Sequence, residues 1–133
     1  MTLFSNIPEH DVLGFGLGQQ FEPQRVSDWL DLKKADVSRL ADVSPKSVRY
    51  DDNIPKAVYD RLEEIAITCN LVAEAFDGDV NKTALWFKAR NPLLGDVSPR
   101  DMVRLGRFDR LRKFIIGAMK ERTARPLRQH SPA

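Results

Sequence analysis

Five polar side chains between residues 44 and 50 carry the most distinctive chemistry in the sequence: Ser44, Lys46, Ser47, Arg49 and Tyr50. Arginine and lysine pair with phosphate oxygens and with guanine edges, and hydroxyl groups also bind phosphates. Val43 and Val48 are the apolar residues of the same stretch, and we expect them to be buried. The five polar residues would then face outward from a short helix. We predict that they contact the major groove and the phosphates of DNA.

The sequence offers no convincing catalytic or metal-binding set. Cys69 lies on an apolar stripe of helical spacing, which favours a buried hydrophobic role over that of a nucleophile. His10 and His130 lie near opposite ends of the chain, and one cysteine with two such histidines is not a usual ligand set for a metal. The carboxylates are scattered over helix faces that should be solvated. We therefore predict no catalytic residues, no metal and no cofactor.

The composition is that of a globular protein with a substantial core. Of 133 residues, 42% are hydrophobic and 30% are charged, which excludes a disordered chain. No apolar run approaches the ~18 residues that a membrane span needs, and the N-terminus lacks a basic segment followed by an apolar one. The single cysteine excludes an internal disulfide and suits a reducing compartment. We expect a cytoplasmic protein with no membrane partner, built as one domain or as two helical lobes that share a core.

Charge is distributed unevenly along the chain. Residues 1–98 hold 11 Lys and Arg against 16 Asp and Glu, whereas residues 99–133 hold 10 against 3. A basic end of this kind is a candidate contact for nucleic acid or for an acidic protein surface. The alternative is a solvated helix face followed by a loose tail.

Helical periodicity extends through most of the chain, and no stretch alternates as a strand would. The fold should therefore be all-α. Residues 1–22 show no sustained period and are predicted to be a flexible arm, and residues 123–133 a loose basic tail. Two short helices are expected within residues 33–51. Longer helical segments are expected over 55–76 and 99–122, the latter with a break at Gly106, and a short helix is expected over 80–89.

The stretch ALWFKARNPLLGDVSP, residues 84–99, combines an aromatic helix end, a rigid turn and a new helix start. Trp86 is expected to anchor the core, and the alternative is that it contacts a partner at an interface. Asn91 precedes a proline and should end the first helix, while Gly95 can supply a positive φ in the turn. Ser98 and Pro99 have the residue types of an N-cap and a first helical position.

The order Trp-Phe, Asn-Pro, Leu-Leu-Gly and Ser-Pro resembles the C-terminal domain of the Xre/MbcA/ParS antitoxin family. Residues 33–51 resemble an Xre-type helix-turn-helix, with small Ser38 between the helices and Val43 and Val48 beside the start of the recognition helix. Asp42 stands where the family usually has glycine, but aspartate tolerates a left-handed backbone. The resemblance covers about residues 24–122.

Membership of that family would imply an antitoxin encoded beside a RES-domain toxin that consumes NAD. Residues 23–76 would then be a DNA-binding domain that represses the protein's own promoter, and residues 77–122 a toxin-binding domain. A homodimer would place two recognition helices on half-sites about 34 Å apart. The residues expected to contact the toxin are Arg90, Asn91, Leu93, Leu94, Arg122, Arg125 and Arg128.

Two other functions stay open at the level of sequence. A stand-alone transcriptional regulator without a toxin partner would need only the helix-turn-helix. A small enzyme is a third alternative and is the least favoured, because catalysis requires acid, base or nucleophilic groups that converge on one site.

Overall fold

The computed structural model describes the backbone of residues 11–124 and the side chains of residues 11–121. Within this range there are helices and no β-strand, which confirms the predicted all-α class. The helices are α1 Pro23–Trp29, α2 Lys34–Ala41, α3 Lys56–Ala75, α4 Val80–Lys88, α5 Pro99–Arg104 and α6 Phe108–Ala124. Two short 3₁₀ turns, Pro45–Ser47 and Pro92–Leu94, lie between them. None of the helices in the described part of the chain is both long and apolar enough to cross a bilayer.

Several helix boundaries follow from single residues. The Asp79 carboxylate accepts a hydrogen bond from the Lys82 amide at 3.0 Å and caps α4. The Ser98 hydroxyl oxygen accepts one from the Asp101 amide at the same distance and caps α5. These bonds satisfy amide groups that have no partner within the first turn of a helix. Gly106 adopts a φ of 79° between α5 and α6, so the predicted break is present.

Helix α3 forms the centre of the molecule. Its apolar stripe is buried along most of its length, because α1 and α2 pack against it from one end of the chain and α4 and α6 from the other. The fully buried residues of the stripe include Val58, Leu62, Ile65 and Cys69. A spacing of four and three residues keeps them on one side of the helix.

Residues 11–22 are packed onto the fold and do not form the predicted flexible arm. Phe15 is only 1% exposed. The side-chain oxygen of Asn70 on α3 accepts a hydrogen bond from the Leu13 amide, and its Nδ2 donates to the Asp11 carboxylate at 3.0 Å. Gly16 has a φ of 87°, and a Cβ there would lie 2.2 Å from the carbonyl oxygen of Gln20. The remaining residues of the predicted arm, 1–10, lie outside the described residues.

The two predicted domains, 23–76 and 77–122, share one hydrophobic core. Trp29 on α1 contacts Phe87 on α4 edge to face, with ring centroids 5.2 Å apart. Arg104 on α5 donates to the backbone carbonyl of Asp31 at 2.8 Å, and its own carbonyl accepts a hydrogen bond from Arg39 on α2. The two halves are therefore joined through apolar contacts inside and arginine hydrogen bonds outside.

Candidate functional site

The segment after α2 is fixed in place by two valines and a serine. Asp42 ends α2 in a left-handed conformation with φ 55°, as the residue type predicted. The Ser38 hydroxyl donates to the carbonyl of Val43 and ties the turn to the helix. Val48 is fully buried, whereas Val43 is half-buried against the core. The chain from Ser44 onward therefore follows a defined path along the surface.

The predicted recognition helix is replaced by a single 3₁₀ turn, Pro45–Ser47. Val48 then takes an extended conformation, with φ −77° and ψ 112°, and its side chain is buried in the core. The Ser44 side chain does not cap the turn, and its hydroxyl lies 2.9 Å from that of Ser47. The expected pair of helices is thus one helix followed by a turn and an extended segment.

The five predicted DNA-contacting residues remain close together along this surface. Ser44, Lys46 and Arg49 are exposed, whereas Ser47 and Tyr50 are half-buried. Tyr50 packs against the core, so less of its side chain is available to contact a partner than the sequence suggested.

Arg49 is held by a carboxylate. Its Nε donates to Asp51 at 2.8 Å, and Nη2 makes a second bond to the same carboxylate. These bonds raise the pKa of the Arg49 guanidinium and lower that of the Asp51 carboxyl, so both groups keep their charges. Asp42 and Asp52 are exposed nearby in sequence. The segment therefore presents Lys46 as a cation among acidic neighbours and not a uniformly basic surface.

A second candidate surface is the loop formed by residues 91–97, which we call the 91–97 loop. The Asn91 amide donates to the carbonyl of Val97 at 3.1 Å, and the carbonyl of Asn91 accepts from the Asp96 amide at 3.0 Å. The Asn91 side chain accepts a further bond from the Leu93 amide. Gly95 completes the turn with a φ of 79°, a conformation that glycine adopts without strain. The loop is closed by its own hydrogen bonds.

The two leucines of this loop have different environments. Leu93 is 77% exposed at the tip, whereas Leu94 is half-buried and packs against the core. The expectation that both leucines are available to a partner is therefore correct only for Leu93. The reason is the 3₁₀ turn Pro92–Leu94, in which two consecutive side chains point in directions far apart.

The remaining predicted toxin-binding residues are arginines and an asparagine. Arg90 is exposed, and Nη1 lies 3.9 Å from a carboxylate oxygen of Asp96 across the 91–97 loop. Arg122 lies in the last turns of α6, and its side chain is not among those described. Arg125 and Arg128 lie outside the described residues.

An apolar groove of about 130 Å³ lies between α3, α4 and α6. Trp86 and Phe114 form two of its walls, and Phe76 and Ile115 line it from α3 and α6. Trp86 is therefore half-buried at a groove and is not the central anchor that the sequence suggested. The fully buried aromatic residue of α4 is its neighbour Phe87, which is 2% exposed.

Sequence reasoning did not single out Leu85, which is 67% exposed on α4. Thr83 and Phe87 are four residues apart and both buried, so Leu85, midway between them on a helix, has to face outward.

The described residues include no group of three or more histidine, cysteine or acidic side chains that could hold a metal ion. Cys69 is buried, and burial raises the pKa of its thiol well above the ordinary value. A thiol with a raised pKa is a poor nucleophile near neutral pH.

No family model matches the chain, and no match was found among curated proteins or solved structures.

Proposed function

We propose that this protein is a non-enzymatic antitoxin of the Xre/MbcA/ParS type, which binds and neutralises an NAD-consuming RES-domain toxin. The observation that carries the proposal is the exposed Leu93 at the tip of the hydrogen-bonded 91–97 loop. It lies in the stretch from Trp86 to Pro99 that resembles the toxin-binding domain of that family. An exposed apolar side chain on a preorganised loop could serve as an anchor for a protein partner.

The shape of the 91–97 loop supports this proposal on energetic grounds. Backbone hydrogen bonds and the Asn91 side chain already hold the loop in one conformation before any partner arrives. Little conformational entropy is then lost on binding, so more of the free energy gained by burying Leu93 contributes to affinity. Leucine burial of this kind is worth about 1.5–3 kcal/mol.

The basic C-terminal part would assist the encounter with the toxin. Along α6 and just before it, Arg107, Arg110, Lys113 and Lys120 are all exposed. A toxin cleft that accepts the diphosphate of NAD should itself be cationic, so we expect these groups, with Arg122, Arg125 and Arg128, to face carboxylates at the rim of the cleft. Charges at a rim mainly increase the association rate, whereas buried apolar groups hold a complex together.

The same proposal includes repression of the protein's own operon through the 44–50 segment, with the protein acting as a homodimer on promoter DNA. Lys46 and Arg49 are the residues that would contact DNA, and the exposed Ser44 would contribute a hydrogen bond. The pairing of Arg49 with Asp51 means that DNA phosphates would have to compete with a carboxylate for this guanidinium. The alternative function, a stand-alone transcriptional regulator without a toxin partner, needs this surface alone.

Co-expression with the neighbouring reading frame tests the proposal. An antitoxin should restore growth to cells that express the neighbouring protein, and the two proteins should co-purify. Leu93→Asp should abolish both effects. Leu105→Asp is a matched control, because Leu105 is also exposed, at 53%, but lies outside the loop. Absence of protection and of co-purification by the parent protein would leave the stand-alone regulator as the better description.

A further inference from the structure

A small recess lies between the end of α1, the second half of α4 and the start of α5. Its volume is about 90 Å³. The recess is lined by Trp29, Leu30, Ala84, Phe87, Lys88 and Arg100. It is separate from the apolar groove, which is formed by other side chains of α4 together with α3 and α6.

Both ionisable side chains of this lining are cations, and neither has an anionic partner in the part of the chain that the structure describes. Lys88 is exposed and Arg100 is half-buried. Neither residue takes part in the ion pairs formed among the described residues. The Nε of Arg100 is shielded from solvent and has no hydrogen-bond acceptor within residues 11–121.

An unpaired buried donor of this kind is unusual in a folded protein. Other arginines of the same molecule show the ordinary behaviour. The Nε of Arg61 donates to the carbonyl of Leu40 at 3.0 Å, and the Nε of Arg104 donates to that of Asp31 at 3.2 Å. Arg100 therefore lines the recess as a guanidinium that no carboxylate among the described residues neutralises. A ligand with an anionic oxygen in the recess would supply a partner for this charge.

The rest of the lining restricts the kind of anion. Two aromatic rings, a leucine and an alanine form an apolar surface, against which a fully hydrated ion such as phosphate would lose water without gaining partners. A carboxylate that carries a short hydrocarbon chain matches both the cationic side chains and the apolar surface of the recess. The volume of about 90 Å³ also favours a short chain, since it is smaller than a cavity of about 150 Å³ that is known to hold a benzene ring.

We propose that this recess binds the carboxylate of a short aliphatic acid, with Arg100 and Lys88 on the carboxylate and Trp29 and Ala84 on the hydrocarbon chain. The carboxylate would be that of a free acid or that of a glutamate side chain, because the two share the same chemistry. This inference does not depend on the antitoxin function.

The test uses the fluorescence of Trp29 in the full chain carrying Trp86→Phe, so that the recess contains the one remaining tryptophan. Sodium butyrate, N-acetylglutamate amide and sodium phosphate are titrated separately at constant ionic strength. Butyrate or the capped glutamate should give a saturable change, and phosphate should give none at the same concentrations. Saturation by the capped glutamate alone would identify the source of the ligand as a side chain.

Two variants link the signal to the recess. Arg100→Gln should weaken binding at least about tenfold, whereas Arg90→Gln, which removes the same charge from an exposed position, should leave it unchanged. Ala84→Leu fills the apolar part without altering charge and should also abolish the change, which covers the case in which Arg100→Gln does not fold. No saturable change with either carboxylate, or equal responses in the parent and in a folded Arg100→Gln variant, would overturn the proposal. A response to phosphate as strong as to butyrate would overturn the assignment of the ligand class.

Discussion

Arg61 on α3 holds Asp109 at the start of α6 through two parallel hydrogen bonds, with Nη1–Oδ1 and Nη2–Oδ2 distances of 2.9 and 3.1 Å. The same guanidinium lies over the ring of Phe108, 5.1 Å from its centroid, and donates to the carbonyl of Leu40 on α2. One side chain thus connects three helices. The hydrogen bonds from Arg61 lower the pKa of the Asp109 carboxyl below its ordinary value of 3.8.

We predict that Asp109→Asn reduces the free energy of unfolding by about 0.5–1 kcal/mol at pH 7, a modest amount because the carboxylate is largely exposed. The folded pKa is depressed, so this contribution is fully present above 3.8 and is lost as the pH falls through the lower folded value. Urea unfolding of both proteins at neutral and acidic pH measures it. Asp96→Asn is the matched control, since its partner Arg90 is 3.9 Å away. A difference that persisted unchanged in acid would contradict this account.

We predict that Phe87→Ala destabilises the fold by about 3–5 kcal/mol, and that Trp86→Ala costs clearly less. Phe87 is buried between Trp29 and Trp86, with ring centroids at 5.2 and 5.1 Å. Trp86 faces the open groove and leaves a smaller cavity when it is truncated. Chemical denaturation of the two variants gives both values, and an equal loss in each would mean that the groove is part of the closed core.

The two leucines of the 91–97 loop should differ when aspartate replaces them. Leu93→Asp should unfold at the parent temperature, because the side chain is solvated. Leu94→Asp should lose about 2–4 kcal/mol, because a charge is placed against the core. Thermal melts followed by circular dichroism compare the two. If Leu93→Asp melted as early as Leu94→Asp, the exposed tip would have a structural role.

Substitutions in and beside the 44–50 segment should change the affinity for DNA in opposite directions. Lys46→Ala combined with Arg49→Ala should weaken binding to the protein's own promoter. The expected loss is about 1–3 kcal/mol for each side-chain hydrogen-bond contact to a DNA base that the variant lacks. Asp51→Asn should strengthen binding, because it frees Arg49 and removes a negative charge near the phosphates. Fluorescence anisotropy at fixed salt measures both, with Arg110→Ala on α6 as the control. Unchanged affinity in the folded double variant would exclude this segment as the DNA-binding surface.

The parts of the fold that local residue types determine were predictable. Asp79 and Ser98 cap their helices, and Asp42 and Gly95 take the left-handed conformation that their turns require. Each of these outcomes depends on a few neighbouring residues. The apolar stripe along α3 was equally predictable, since a helix of 20 residues repeats the spacing of its apolar residues several times.

Features that depend on distant residues were not predictable. Asp11 and Asn70 are 59 positions apart, so nothing in the sequence near Asp11 shows that residues 11–22 are anchored. The 3₁₀ turn at Pro45 was not predictable either, because a serine before a proline and an inward-facing Val48 are equally compatible with an α-helix. The recess at Arg100 is formed by three helices, and its unpaired Nε can be recognised only once their packing is known.

The contact between Trp29 and Phe87 limits how the gene could be rearranged. Proteins whose binding functions sit on independent modules can exchange them by recombination at a linker. Here a crossover between α3 and α4 would combine the first three helices of one parent protein with the last three of another in a single core. Trp29 would then pack against an α4 from the other parent, and Arg39 would have to bond to an α5 from the other parent. A chimera made at that junction should fold only if the two parent proteins match at these positions. The 44–50 segment and the 91–97 loop would therefore be inherited and diversified together.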